Sequence, residues 1–162
     1  MKLSRIDLRA FDAASIEQYR ALITDPAVTK HMPLAMSNYT DEWIRNWVIS
    51  KSNTWDDESL GPWSIWVEGE FAGWAGLEPD GDDLSLGIVT HKRYWGLGRE
   101  IVAEVVKKWP KTLTSNRIVV EFPLSRKSGK WASKLPISLI GGIEIEGQVF
   151  EKYELDLERV IA

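Results

Sequence analysis

Three strand-like runs, "WSIWV", "FAGWAGL" and "LSLGIVT", follow one another between positions 63 and 90 with only short turns between them. This spacing constrains the fold more than any other feature of the chain. "EGE" is short enough for a hairpin, and "EPDGDD" is rich in residues that turn a chain. Directly after the third run comes "RYWGLGRE", residues 93–100, where two glycines one residue apart are flanked by Arg93 and Arg99. Ile101, Val102, Val105 and Trp109 then recur at helical spacing, with Glu100, Glu104, Lys107 and Lys108 off that stripe. A bare main chain thus joins a strand to an amphipathic helix.

The flanks follow the same rules. "SRIDLRAF" alternates as a first strand. Asp12 or Ser15 can cap a helix in which Ile16, Tyr19, Leu22 and Ile23 share a face, and Asp25-Pro26 ends it. Thr40, Asp41 and Glu42 suit a second helix start, with Trp43, Ile44, Trp47 and Val48 on one side. "SNTWDDESLGP" reads as a loop, Pro110 as the end of the helix after the glycines, and "RIVVEF" as a strand inside a sheet. "KWASKLPISLI" reads as a helix that begins at or is interrupted by Pro136 and stops at Gly141. "IEIEGQVFEKYELDL" closes the chain as a strand pair. The order β-α-α-β-β-β-α-β-α-β-β is that of an α+β (mixed α/β) protein, expected as one domain over residues 1–162.

Composition narrows the chemistry. With no cysteine, disulfides and thiolate chemistry are excluded, and the cytoplasm is the expected location. Two histidines, His31 and His91, without a ligand cluster around them, predict no metal site. A formal net charge of -4 argues against nucleic acid as the main partner. No apolar run is long enough to span a bilayer, and the start lacks the features of a signal peptide. Charge is nevertheless segregated: eleven carboxylates face two bases from Asp41 to Asp83, and eight bases face Glu121 alone from Lys107 to Lys134. Solvated faces explain this, or a molecule that handles a cation at one end and a polyanion at the other.

The glycines sharpen the second reading. A helix start carries unpaired N–H groups and the positive end of the dipole, and glycine lets a phosphate approach the main chain. Gly96 and Gly98, with Arg93 and Arg99 beside them, therefore suit an anion such as a pyrophosphate, or simply make a tight turn. GxxxxGK[ST] occurs nowhere, and a dinucleotide fingerprint fails at Ile101, although Glu121 stands where its acid would be.

The string "RYWGLG" fits [Q/R]-x-x-G-x-[G/A], and here the sequence resembles the GNAT superfamily of acetyl-CoA-dependent N-acetyltransferases. "LITDPAVTKHM" and "THKRYWGLGREIVAEVV" are similar to its branch of ribosomal-protein N-terminal acetyltransferases. The resemblance implies a central twisted mixed sheet with splayed strands and helices on both faces. It implies acetyl-CoA as cosubstrate, its pyrophosphate held by Arg93, Tyr94, Trp95, Gly96, Leu97, Gly98 and Arg99. Main-chain groups of Leu86, Ile88, Val89 and Thr90 would hold the pantetheine arm, and one N–H near Leu86 to Ile88 the thioester oxygen. Lys130, also expected to contact the cosubstrate, and Ser133 stand at the family's N-x-x-S, with Lys130 replacing the Asn. Ile137 falls where many relatives place a proton-donating Tyr.

Transfer to an amine needs a neutral nitrogen, so a group must accept a proton. Glu121, in the otherwise apolar "IVVEF", is the first candidate base; Glu78, Asp82, Asp83 or water are alternatives. Ser133 is the candidate to protonate the departing thiolate, a job water can also do. Trp43, Trp47, Trp55 and Trp63, interleaved with acids, fit either the core or an amine pocket. Trp95 is expected beneath the phosphate turn and His91 in a structural role. The reading is an N-acetyltransferase acting on a small-molecule or peptide amine, monomeric or homodimeric. Its rival is a GNAT-like module that binds CoA or a partner without turnover, which Ile137 and Lys130 favour.

Overall fold

The computed structural model describes residues 5–30, 39–53, 61–108, 117–123, 136–156 and 159. Strand β1 (Ile6–Ala10) leads through a 3-10 turn at Phe11–Ala13 into helix α1 (Ile16–Ile23). Ser15 starts that helix with a reciprocal cap: its hydroxyl accepts from Gln18 N–H, and the Gln18 side chain accepts from Ser15 N–H. Asp25 does not simply end the helix. Its carboxylate accepts from Ala27 N–H and, with Pro26 in the first turn, opens the short helix α2 (Pro26–Thr29). Helix α3 (Asp41–Asn53) begins at Thr40, whose Oγ1 accepts from Trp43 N–H at 3.1 Å.

The meander read from the sequence is strands β2 (Trp63–Val67), β3 (Glu70–Asp80) and β4 (Asp83–Thr90). Glu68 and Gly69 close the first hairpin with positive φ at both positions, 50° and 84°. Such a two-residue turn matches the twist of the strands it joins, and glycine adopts it without cost. A 3-10 turn at Lys92–Leu97 feeds helix α4 (Gly98–Lys107), followed by β5 (Ile118–Pro123), β6 (Ile137–Ile145) and β7 (Gln148–Leu155). The seven strands lie in the order β1-β2-β3-β4-β5-β7-β6. Every neighbouring pair is antiparallel except β4 with β5.

One expected element is corrected. Ile137–Ile140 is not the end of a helix stopped by Gly141 but the first part of β6, paired with β7 from Ile137↔Leu155 onward. Cross-strand pairing overrides the local pattern here, and Gly141 sits beside a bulge in mid-strand. Residues 130–135 of that expected helix, with Lys130 and Ser133, lie outside the described residues, as do His31, Trp55, Trp109 and Pro110.

Side chains on the two faces of the sheet go to different cores. Ile65, Ala75, Leu77, Leu86 and Ile118 pack with Ile101, Val102 and Val105 of α4. Each aliphatic residue fully buried there contributes roughly 1.5–3 kcal/mol. On the other face Phe11, Tyr19, Ile23, Ile44, Val48 and Trp66 gather under α1 and α3, with Trp43, Trp47, Phe71 and Trp74 against them. Among the described residues no helix is long and apolar enough to cross a membrane.

Candidate active site

Strands β4 and β5 run parallel only at Leu84↔Ile118 and Ser85↔Val119. Beyond Ser85, β4 stays paired with β3 as far as Thr90, and β5 stays paired with β7 as far as Pro123. The sheet therefore parts between them. Unpaired strand edges keep their N–H and C=O groups free for another partner, and on β4 the groups that face the opening come from alternate residues between Leu86 and Val89. All four carried-over positions (Leu86, Ile88, Val89 and Thr90) lie along this opening.

The turn at the end of β4 is anchored from below. His91 N–H donates to Ala72 O at 2.9 Å, Tyr94 N–H to His91 O at 3.0 Å, and the His91 ring lies 3.4 Å from an Asp25 carboxylate oxygen. His91 is thus a structural peg. The Tyr94 side chain is buried, and the Trp95 indole N–H donates to Thr90 O at 3.1 Å, which sets Trp95 against the base of the turn. Above the turn there is room: a Cβ added to Gly96 would meet no atom within 4 Å. Leu97 caps α4 without a side-chain hydrogen bond, so no side chain of that cap occupies the first N–H groups. Glu100, the acid of that first turn, is drawn aside by two bonds from Arg5 at 3.0 and 3.1 Å. The two arginines separate. Arg93 is bound to Glu70 at 2.8 Å and lies over the Tyr94 ring, whereas Arg99 is exposed with no ion pair among the described residues.

Beside the parted strands, on the α1–α3 face, lies a cleft of about 180 Å³ lined by Lys51, Pro62, Trp74, Gly76, Glu78, Ser85 and Gly87. Trp74, Gly76 and Glu78 alternate along β3, and Gly76↔Gly87 and Glu78↔Ser85 are cross-strand partners. Strand alternation puts all five on one face. The two glycines make the space: a Cβ at Gly76 would come within 3.1 Å of Pro62, and one at Gly87 within 3.6 Å of Trp74.

Glu121 belongs to the same side. Its neighbours Ile118, Val120 and Phe122 pack toward α4, leaving Glu121 on the cleft face, in register with Lys152 of β7. Burial raises its pKa above the ordinary 4.5, and Asp80 adds to the rise while Lys152 opposes it. Lys152 Nζ stands 3.6 Å from Asp80 and 3.9 Å from Asp83, and Arg117 holds Asp83 at 2.8 Å. Of the alternative bases, Glu78 is paired with Lys51 at 2.8 Å, Asp83 with these cations, and Asp82 sits exposed in the β3–β4 turn.

The tryptophans divide. Trp63 is buried in the core, while Trp43 stacks on Trp47 at 5.9 Å and Trp47 meets Trp74 edge-on at 6.2 Å. Among the described tryptophans it is Trp74, not singled out from the sequence, that lines the cleft. Its signal was the alternation W-x-G-x-E over residues 74–78, an aromatic and a carboxylate around a missing side chain. Lys152 carried no such signal, since only strand register brings it to Glu121.

Comparison with known proteins agrees with this fold. A spermidine N-acetyltransferase from Vibrio cholerae, solved with CoA and spermine, superposes with a TM-score of 0.73 at 10% identity, covering 98% of this chain and 99% of that one. An acetyltransferase from Agrobacterium tumefaciens gives 0.72 at 18% identity, over 96% and 93%. RimL, a ribosomal L7/L12 alpha-N-protein acetyltransferase, gives 0.68 at 16% identity, over 94% and 90%. At these identities the likeness is one of fold. No curated protein matches the chain. Residues 5–125, however, match the acetyltransferase (GNAT) domain family, and the chain belongs to that family.

Proposed function

We propose that the protein moves an acetyl group from acetyl-CoA to a primary amine by direct attack within a ternary complex. The observation that carries this reading is the parting of β4 from β5 after Ser85, with an open glycine turn at its end and a cleft at its side. The turn fits the cosubstrate: Gly96 leaves clear space over the main chain, and Arg99 has no competing partner among the described residues. The amides from Gly96 to Arg99 would hold the pyrophosphate, helped by Arg99. Main-chain groups between Leu86 and Thr90 would hold the pantetheine arm, and an N–H near Leu86 to Ile88 would support the thioester oxygen as it gains charge. Arg93 has a lesser part, since Glu70 holds it.

The amine enters from the cleft. Glu121 accepts its proton, directly or through water, and its raised pKa supports that role. The nitrogen then bonds to the acetyl carbon and gives its remaining extra proton to water, the carbon–sulfur bond breaks, and the thiolate takes a proton from water, directly or through Ser133, which water reprotonates. No cysteine is present to carry an acetyl thioester, which supports direct transfer. The acceptor is a protein N-terminus, a polyamine or an amino sugar. The segments "DPAV" and "YWGLG" support the branch of ribosomal-protein N-terminal acetyltransferases.

The test is thiol release from acetyl-CoA across an amine panel, with Glu121→Gln alongside. Turnover lost in the variant while CoA affinity persists supports the reading. Tight CoA binding without turnover in the unaltered protein would instead support the binding module favoured by Ile137, which is a buried strand residue in place of a phenol.

A further inference from the structure

The cleft already contains a primary ammonium group. Lys51, near the end of α3, lines it with Trp74, Gly76, Ser85 and Gly87, and its Nζ lies 2.8 Å from Glu78 Oε1. The other acids on this face have cations supplied from the sheet side: Arg117 and Lys152 for Asp83, and Lys152 for Asp80 and Glu121. Among the described residues Glu78 alone is neutralised across the cleft, by a flexible side chain from a helix. The Glu78 side chain is 59% exposed while paired, so a solute can reach it. Trp74, in the same lining, offers an aromatic surface to a cation.

We propose that Glu78 is the carboxylate that receives the acceptor's ammonium group, and that Lys51 is its tethered competitor, setting which amines enter. This rests on the reading that the acceptor uses this cleft. An incoming alkylammonium must displace a group of its own chemistry that is held nearby at high effective concentration. Amines bearing a second cation, or a close apolar fit to Trp74, gain the most over simple ones. Removing the Lys51 charge frees Glu78 and strengthens binding by about two- to fivefold, the range that an exposed ion pair supports.

The experiment is calorimetric binding of 1-pentylamine, with 1-pentanol as its uncharged counterpart, to the full chain without acetyl-CoA. Lys51→Met should tighten the amine about two- to fivefold and leave the alcohol unchanged. Glu78→Gln should weaken the amine, and the double variant should bind no better than Glu78→Gln alone. Lys107→Met, at an exposed position of α4, makes the same change in net charge and should do nothing. The proposal is overturned if 1-pentylamine binds neither the unaltered protein nor Lys51→Met. It is equally overturned if Lys51→Met gains nothing, if its gain survives Glu78→Gln, or if Lys107→Met matches it. Thiol release by the unaltered protein is measured separately. Its absence beside the expected binding pattern would sink acetyl transfer and leave the ammonium site standing.

Discussion

Glu121 sits where two environments meet, with an apolar strand on one side and Asp80 and Lys152 on the other. Because its folded pKa is raised, the native protein holds a proton there that the unfolded chain has already released, over the window just above 4.5. Stability from this group is therefore lost as pH rises through that window. Glu121→Gln should melt higher than the unaltered protein above the window and show no such gain well below 4.5, which melting curves against pH will show. As a general base, Glu121 also predicts an acid limb in kcat/KM with an apparent pKa above 4.5, and a loss of about a hundredfold or more in the Gln variant. Gly87 makes a separate prediction. A Cβ there meets Trp74 only at ordinary contact distance, so Gly87→Val should fold yet fill the cleft. It should raise the acceptor KM about tenfold, more than it changes the acetyl-CoA KM, as initial rates at varied amine and varied acetyl-CoA would record.

Among the elements, those with local chemical signals were the legible ones. Ser15 and Gln18 start α1 by bonding each other's backbone, and Ser15→Ala should cost about 1 kcal/mol, measured by urea unfolding. The turn into α4 was readable because only glycine leaves the main chain bare. A Cβ at Gly96 meets no protein atom within 4 Å, so Gly96→Ala should keep the melting temperature but weaken CoA binding; unchanged CoA affinity would refute the phosphate site. Asp25-Pro26 ends α1 as its sequence implies, and the same carboxylate before a proline also starts the short helix α2. Ile137–Ile140 looked helical because periodicity in a short apolar run is ambiguous, and pairing with β7 decided for strand.

For the molecule as a whole, the proposed ligand should act as a stabiliser of the native state. Acetyl-CoA at a hundred times its dissociation constant adds about 2.7 kcal/mol, which for a chain of this size is a rise of roughly 5–10 °C in Tm. A thermal scan with acetyl-CoA, ATP and NAD would separate this reading from other nucleotide folds, because only the first should shift. The charge segregation seen along the chain takes a definite form in the fold. Glu78, Asp80, Asp83 and Glu121 meet on the cleft face, where Lys51, Arg117 and Lys152 partly neutralise them.

The amino-acid order by itself determined the strand meander and the glycine turn before an amphipathic helix, and it offered Glu121 as the first candidate base. Each of these is a local property, set by alternation, by the lack of a Cβ, or by a charge in an apolar run. Tertiary structure alone decided where β4 leaves β5, that Gly76 faces Gly87 to open a cleft, and that Lys152 and Asp80 border Glu121. Strand register and the twist between strands set those relations, and both arise from contacts between residues far apart in the chain.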